Sequence, residues 1–152
     1  MRVDTEELER ILRRPGYSTD QPVTRSCAHP SGVPAPTIWP SEHAFQSAVI
    51  AEAQRRATLQ PEYSLLVAIP NGQYRKGQRP EPGLCAGMPD LMLCVQSGGH
   101  GALFLELKIR DGKLSKIQRE IHHRLRMAGY QVAVVWDSVD EVMKIIEEYL
   151  RL

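Results

Sequence analysis

The stretch GMPDLMLCVQSGGHGALFLELKIRDGKLSKIQ, residues 87–118, decides the fold of this chain. Two apolar runs, 91–95 and 102–109, flank a cluster of turn-forming residues at 97–101, so we predict a β-hairpin. A short basic loop and the start of a helix follow the second strand. If the strands pair through that turn, residues whose numbers sum to roughly 196–198 face each other.

Three charged side chains meet at one end of this predicted hairpin. Pairing places Asp90 opposite the segment 106–108, and side-chain alternation puts Glu106 and Lys108 on one face of the second strand. The flanking residues are strongly apolar, so we expect the hairpin to be central in the sheet, where charges are costly unless paired or metal-bound. Pro89 fixes the entry into the first strand. We favour a functional site over a solvated cross-strand ion pair, which would contribute only about 0.2–1 kcal/mol.

The ordered set of motifs resembles one nuclease family. Pro89-Asp90 followed by Glu106-Leu107-Lys108 is similar to the core motif of PD-(D/E)XK nucleases. Such a motif alone matches often by chance, but the wider pattern resembles the virus-type replication-repair nuclease (VRR-NUC) family over residues 41–137. That pattern comprises Ser41-Glu-x-x-x-Gln46, Pro70-Asn-Gly72, Gly87-x-Pro-Asp-Leu, Phe104-Leu-Glu-Leu-Lys, Leu114-Ser-x-x-Gln118 and Gly129-Tyr-x-Val. Met88 departs from it, standing where a small or β-branched residue is more usual.

The predicted elements alternate between helices and strands, which is typical of an α/β protein. In order they are a helix from Ser41 to about Thr58, a strand at 63–69, the hairpin, a helix after Ser115, a strand at 131–136 and a helix at 138–151. The strand at 131–136 is too apolar for an edge, so we expect it to be buried. With the resemblance, this order implies a restriction-endonuclease-like PD-(D/E)XK core, a mixed central β-sheet flanked by helices.

The helix after Ser115 carries an apolar pattern and two adjacent histidines. Its predicted core stripe comprises Ile117, Ile121, Leu125 and Ala128. His122 and His123 point about 100° apart on a helix, so they cannot both chelate one ion. We interpret them as surface or packing residues.

Composition places the chain among soluble globular proteins. The 152 residues are 42% hydrophobic and 24% charged, which is ordinary for that class. Three widely spaced cysteines, Cys27, Cys85 and Cys94, favour a reducing compartment and argue against a disulfide framework or a zinc site. No apolar run approaches the length of a membrane span, so we expect a cytoplasmic protein without membrane contact.

The chain divides into an N-terminal extension, residues 1–40, and a nuclease-like domain, residues 41–152. The extension begins with a short amphipathic helix around Leu8, too short to be stable unless it docks on something. A proline-rich segment follows, which we interpret as a linker or a surface-wrapping arm.

The carboxylates of the hairpin predict a metal site. Hard carboxylate oxygens suit Mg²⁺ or Mn²⁺, so Asp90 and Glu106 are the predicted ligands. The resemblance implies two more, the side chain of Glu42 and the carbonyl oxygen of Leu107. Glu52 is the competing carboxylate on the helix of Glu42, and we favour Glu42.

Two further side chains are predicted to act with these ligands. Phosphodiester hydrolysis needs a positioned water and compensation for the charge that grows on the phosphorus oxygens. Lys108 would orient the attacking water or offset that charge, and Gln118 would position Lys108 or the water.

The charge pattern predicts a local nucleic-acid surface. The net charge of +1 gives no global attraction to nucleic acid, but between residues 108 and 126 seven basic residues oppose two acidic ones. We predict nucleic-acid contacts at Arg110, Lys113 and Lys116 and, in the loop after Pro70, at Asn71, Arg75 and Lys76. Solvated surface charge, and plain turn chemistry for Asn71, are the alternatives.

These features together predict a metal-dependent DNA endonuclease that hydrolyses phosphodiester bonds. The resemblance implies a homodimer acting on branched DNA such as four-way junctions, which two-fold symmetry suits. The alternatives are a nuclease for ordinary duplex or single-stranded DNA and a catalytically silent nucleic-acid-binding module. An intact Asp90, Glu106 and Lys108 set favours an enzyme.

Overall fold

A computed structural model describes residues 38–70 and 82–152 of the chain. The predicted N-terminal helix and the proline-rich segment up to residue 37 lie outside the described residues. The same holds for the loop residues Asn71, Arg75 and Lys76.

The described residues form a four-stranded mixed sheet with three α-helices. In chain order the elements are α1 (Glu42–Arg56), a 3-10 helix (Pro61–Leu65), β1 (Leu66–Ala68), β2 (Leu91–Leu93), β3 (Leu103–Lys108), α2 (Lys116–Met127), β4 (Gln131–Trp136) and α3 (Val139–Leu150). The strand order is β1-β2-β3-β4; the first two pairings are antiparallel, and β3 and β4 are parallel. This is the predicted α/β architecture.

The hairpin of β2 and β3 pairs in the predicted register. Leu91 faces Leu105 and Leu93 faces Leu103, so the residue numbers of each pair sum to 196. Gly98 and Gly99 turn the chain with φ angles of 55° and 81°. Glycine reaches positive φ without a steric penalty, as tight hairpin turns require. Local sequence therefore determines which residue faces Asp90.

The central strand β3 is buried over its whole length because helices cover both faces of the sheet. On one face Leu103, Leu105 and Leu107 belong to a core with residues of α1 and α3, including Phe45, Val49, Val142, Met143 and Ile146. On the other face Phe104 packs with Val132, Leu125 of α2 and Tyr130. Alternation along β3 therefore directs Glu106 and Lys108 towards α2.

Trp39 packs onto the folded domain just before α1. Its ring stacks on Phe45 with a centroid distance of 5.5 Å, and its indole N–H donates to the carbonyl of Asp137 at 3.0 Å. Asp137 follows β4, so this contact ties the start of α1 to the end of β4.

The predicted strand at 63–69 is wrong in its first half. Residues Pro61–Leu65 form the 3-10 helix, and β1 is limited to Leu66–Ala68. Proline at the first helical position has a backbone angle suited to a helical turn. The Ser64 hydroxyl also donates to the Pro61 carbonyl at 2.6 Å, which stabilises that turn.

The predicted position of β4 is also wrong. It lies at the edge of the sheet that the described strands form, beside β3 alone. Val132 and Val135 are nonetheless buried, one in each core. The strand is apolar because helices cover both of its faces, as is usual for parallel strands in α/β proteins.

The predicted core stripe of α2 is wrong at both ends. Ile117 is 56% exposed and Ala128 is exposed as well, whereas the one fully buried residue of the helix is His122. The helix is therefore rotated relative to the predicted stripe, and it presents Gln118, His122 and Leu125 to the sheet. In the described part of the chain no helix is long and apolar enough to cross a membrane.

Candidate active site

The loop before β2 positions Asp90 against α2 and β3. Gly87 adopts a φ of +88°, and a Cβ atom there would lie 2.7 Å from the side chain of Ile117, so glycine is required for this close approach. Pro89 is buried, and the Asp90 carboxylate accepts a hydrogen bond of 2.8 Å from the backbone N–H of Leu107. Asp90 therefore lies beside the segment that carries Glu106 and Lys108.

Lys108 places its ammonium group among three oxygens. The Nζ atom lies 2.6 Å from Glu106 Oε1, 3.2 Å from Glu42 Oε1 and 3.2 Å from the carbonyl oxygen of Leu107. Burial alone would lower the pKa of Lys108, but the hydrogen bonds and charges of Glu106 and Glu42 outweigh it and raise that pKa. The side chain is therefore a cation held by two carboxylates and a carbonyl.

Glu106 is fully buried and each of its oxygens has a partner. Oε1 accepts from Lys108 and, at 2.6 Å, from the amide of Gln118, and Oε2 lies 3.2 Å from Nε2 of His122. A buried carboxylate is costly without such partners, so this arrangement explains how Glu106 is accommodated in the centre of the sheet.

Gln118 is held in place by the cap of its own helix. Ser115 accepts from the backbone N–H of Gln118 at 3.1 Å, and the Gln118 side-chain oxygen accepts from the Ser115 N–H at 2.9 Å. This reciprocal capping box leaves the amide nitrogen of Gln118 to donate to Glu106. The structure thus places Gln118 on Glu106, whereas the sequence suggested a role beside Lys108 or water.

The two candidate carboxylates of α1 lie in different surroundings. Glu42, in the first turn, contacts Lys108. Glu52 instead accepts from Arg55 and Arg56 at 2.7–2.8 Å, and these hydrogen bonds lower the pKa of Glu52 to about 2. Arg56 also pairs with Glu147 of α3, so Glu52 belongs to a surface ion network away from the cleft.

We expect Glu42→Gln to weaken Mn²⁺ binding at least about tenfold. Removing a residue that only supports a metal ligand typically lowers metal affinity about 10–100-fold, and a ligand should matter at least as much. Glu52→Gln is the matched control, because it removes the same charge from the same helix outside the cleft. Isothermal titration calorimetry with Mn²⁺ compares the two variants. A larger loss in Glu52→Gln would show that the helix ligand is misassigned.

Several of these charged side chains line one open cleft. Its lining includes Glu42, Asp90, Lys108 and Gln118, together with His43 and Gln46 of α1, the end of β1 with Ile69 and Pro70, and the loop residues Gly87 and Met88. Glu106 lies beneath this surface, because its side chain is fully buried. A ligand in the cleft would thus meet Glu42, Asp90 and Lys108 directly.

His122 is the site residue that sequence reasoning missed. It was interpreted as a surface or packing residue, but it is 1% exposed and contacts Glu106. Gln118 and His122 are four residues apart, which places them on one face of a helix. That spacing was the signal, since a residue one turn after Gln118 on the same face must also approach β3.

The oxygens predicted to bind a metal already surround a cation. Among the described residues no three His, Cys, Asp or Glu side chains form a group that could hold a metal ion. Oxygens of Glu42, Glu106 and Leu107 are gathered instead around the Lys108 ammonium. An oxygen-only donor set matches the preference of Mg²⁺ and Mn²⁺, so the chemistry of these residues fits such an ion.

The exposed basic surface is smaller than the sequence suggested. Arg110, Lys113 and Lys116 are exposed and make no ion pair with another described residue. Arg124 pairs with Glu120 at 3.0 Å, and Arg126 donates to the carbonyl of Val132, where burial lowers its pKa. The available positive charge therefore lies between β3 and the first turn of α2, next to the cleft.

The fold and the site define a class of protein. A mixed sheet carrying Pro-Asp at the start of one strand and Glu-x-Lys on the strand beside it is the PD-(D/E)XK nuclease arrangement. A family model described as "VRR-NUC domain" matches residues 39–136, more than half of the sequence. The chain belongs to the VRR-NUC domain family, and this membership indicates a nuclease-type function.

Comparison with solved structures supports the fold. A structure described as a "VRR_NUC domain protein" is similar with a TM-score of 0.59 and 23% sequence identity. The similarity covers 73% of this chain and 88% of that chain. At this identity it shows a shared fold. No match was found among curated proteins.

Proposed function

We propose that this protein is a Mg²⁺- or Mn²⁺-dependent DNA endonuclease, and that it cuts branched DNA such as four-way junctions as a homodimer. The observation that supports it best is the enclosure of one cationic centre by Glu42, Glu106 and the Leu107 carbonyl. Asp90 lies beside this centre, and the cleft above it is open. At a phosphate-cleaving site such a cluster of oxygens can hold a divalent cation. A purely structural ion pair needs only one carboxylate for each ammonium.

The residues in and below the cleft have different proposed roles in hydrolysis. A bound Mg²⁺ or Mn²⁺ would polarise the phosphate and lower the pKa of a bound water. Asp90, Glu106, Glu42 and the Leu107 carbonyl would hold the ion. The Lys108 ammonium would offset the charge that grows on the phosphorus oxygens.

Gln118 contributes through Glu106 rather than through the phosphate. Its amide nitrogen donates to Glu106 Oε1, and the Ser115 cap keeps the amide in that orientation. The Glu106 oxygen is thus held towards the cation position before substrate arrives. Such preorganisation avoids reorganising the site during the reaction.

The exposed basic residues beside the cleft would contact the DNA backbone. We expect neutralising Lys113 and Lys116 together to reduce the slope of log K against log salt by up to about 2, since each lost phosphate contact contributes about 0.9. The measurement is DNA binding by fluorescence anisotropy at several salt concentrations. Neutralising Lys144 and Arg151, on or just after α3 on the other face of the sheet, is the matched control. Equal slopes in both double variants would place the DNA on another surface.

Paired cutting of a junction explains why a homodimer is proposed. A four-way junction has two symmetric scissile phosphates, and a chain with one such site supplies two by dimerising about a two-fold axis. Light scattering of the full-length protein at tens of micromolar tests this, and a monomer would contradict resolution of junctions by paired cuts.

One assay tests the proposed activity. Purified protein is incubated with labelled linear, flap and four-way DNA in the presence of Mg²⁺, Mn²⁺ or EDTA. We expect cleavage that needs the metal and is fastest on the four-way junction. Equal rates on all three substrates would indicate a nuclease for ordinary DNA. Binding without cleavage under any metal condition would indicate a catalytically silent module.

A further inference from the structure

His122 contacts the buried carboxylate of Glu106 from the side opposite Lys108. Its Nε2 atom lies 3.2 Å from Glu106 Oε2, and the ring is 1% exposed. The other ring nitrogen, Nδ1, is buried and has no hydrogen-bond partner among the described residues. One edge of the imidazole is therefore committed to Glu106, and the other edge makes no polar contact there.

The contacts of the two ring nitrogens indicate where the hydrogen of His122 lies. Oε1 already accepts from Lys108 and Gln118, so Oε2 is the carboxylate oxygen that faces His122. Of the two ring nitrogens only Nε2 has an oxygen as hydrogen-bond partner in the described part of the chain, so Nε2 is placed to donate to Oε2. A hydrogen on Nδ1 would be buried without an acceptor, which is costly.

We propose that His122 is a positioning residue that fixes the Glu106 carboxylate through Oε2, so that Oε1 points to the cation position. This inference rests on the proposed function, because it is at a metal-binding carboxylate that such support has a catalytic use. Gln118 contacts Oε1 of Glu106, and His122 contacts Oε2. Both are presented by one face of α2, so the packing of that helix sets the orientation of the carboxylate.

Three variants separate this role from packing. His122→Leu removes the donor and keeps an apolar side chain in the buried space. His122→Gln supplies a side-chain N–H in place of Nε2. His123→Leu is the matched control, since His123 is the adjacent exposed residue of the same helix. Thermal unfolding of each variant shows that it is folded before binding is compared.

The first measurement is Mn²⁺ affinity by calorimetry. Loss of a group that orients a metal ligand typically costs 10–100-fold in affinity, so we expect a dissociation constant at least about tenfold higher for His122→Leu. We expect His122→Gln to stay within about threefold of the wild type and His123→Leu to match it. Wild-type affinity in a folded His122→Leu, or a His122→Gln no better than His122→Leu, would overturn the proposal.

The second measurement needs no metal. Long-range ¹H–¹⁵N spectra of histidine-labelled, metal-free protein report which ring nitrogen of His122 carries hydrogen, and His122→Gln identifies the signals. We expect hydrogen on Nε2, and a ring with hydrogen on Nδ1 alone would overturn the proposal. If the wild type binds no Mn²⁺, the proposed function fails, and these spectra alone then decide whether His122 donates to Glu106.

Discussion

Glu106→Gln is expected to lower the rate of DNA cleavage by at least about a hundredfold to a thousandfold, the loss typical when one electrostatic contact to the reacting centre is removed. The change keeps the shape of the side chain and removes the charge that holds the cation. Asp90→Asn should lower the cleavage rate in the same way, because it also removes a carboxylate charge. Its side-chain oxygen can still accept from the Leu107 N–H, so the loop should be preserved. The measurement is single-turnover cleavage of labelled DNA with Mg²⁺.

DNA binding separates this effect from misfolding. We expect both variants to bind DNA as tightly as the wild type or more tightly, since a negative charge near the phosphate has been removed. Glu120→Gln is the control, because Glu120 is an exposed carboxylate of α2 that pairs with Arg124. Wild-type cleavage by Glu106→Gln or Asp90→Asn would contradict the assignment of the site.

Lys108→Met is expected to abolish cleavage while tightening Mn²⁺ binding. The ammonium lies among the three oxygens of Glu42, Glu106 and Leu107, so in the metal-free protein it competes with an incoming ion for them. Methionine keeps most of the side-chain length without a charge. Calorimetry should give a lower dissociation constant for Mn²⁺ than in the wild type, and weaker binding would contradict competition by the ammonium.

Thermal stability provides a second test of Lys108→Met. Removing one partner of a buried ion pair leaves an uncompensated charge on Glu106, which typically costs about 3–5 kcal/mol. A ligand that binds only the folded state stabilises it. We therefore expect metal-free Lys108→Met to unfold at a lower temperature than the wild type, and Mn²⁺ to raise its midpoint by more. An equal effect of Mn²⁺ on both proteins would argue against exchange of ammonium for metal.

The hairpin was predictable because its determinants are local. A pair of turn glycines and two apolar runs set the register, and the register alone brings Asp90 to the segment 106–108. The first half of the predicted strand at 63–69 failed for an equally local reason, since Pro61 and Ser64 favour a helical turn over an extended chain. The position of β4 could not be predicted in this way, because an apolar strand is explained equally by neighbouring strands and by helices on both faces.

The apolar pattern of α2 did not predict which face of the helix is buried. The apolar residues suggested a stripe from Ile117 to Ala128, yet the helix turns Gln118 and His122 inward. A buried Glu106 needs hydrogen-bond donors, and that requirement arises only when β3 and α2 pack together. The Glu42 side chain likewise reaches Lys108 only through the fold, because the two residues lie far apart in the sequence.

In the proposed mechanism, Glu42, Asp90, Glu106 and the Leu107 carbonyl hold the divalent ion that the reaction needs. The most direct test is a crystal structure with Mn²⁺ bound, in which anomalous scattering locates the metal independently of the chain. We expect a peak about 2.0–2.4 Å from carboxylate oxygens of Asp90 and Glu106, with Lys108 Nζ moved away from its present position. A fully occupied peak elsewhere, with the Lys108 ammonium still between Glu106 and Glu42, would contradict this assignment of the metal ligands.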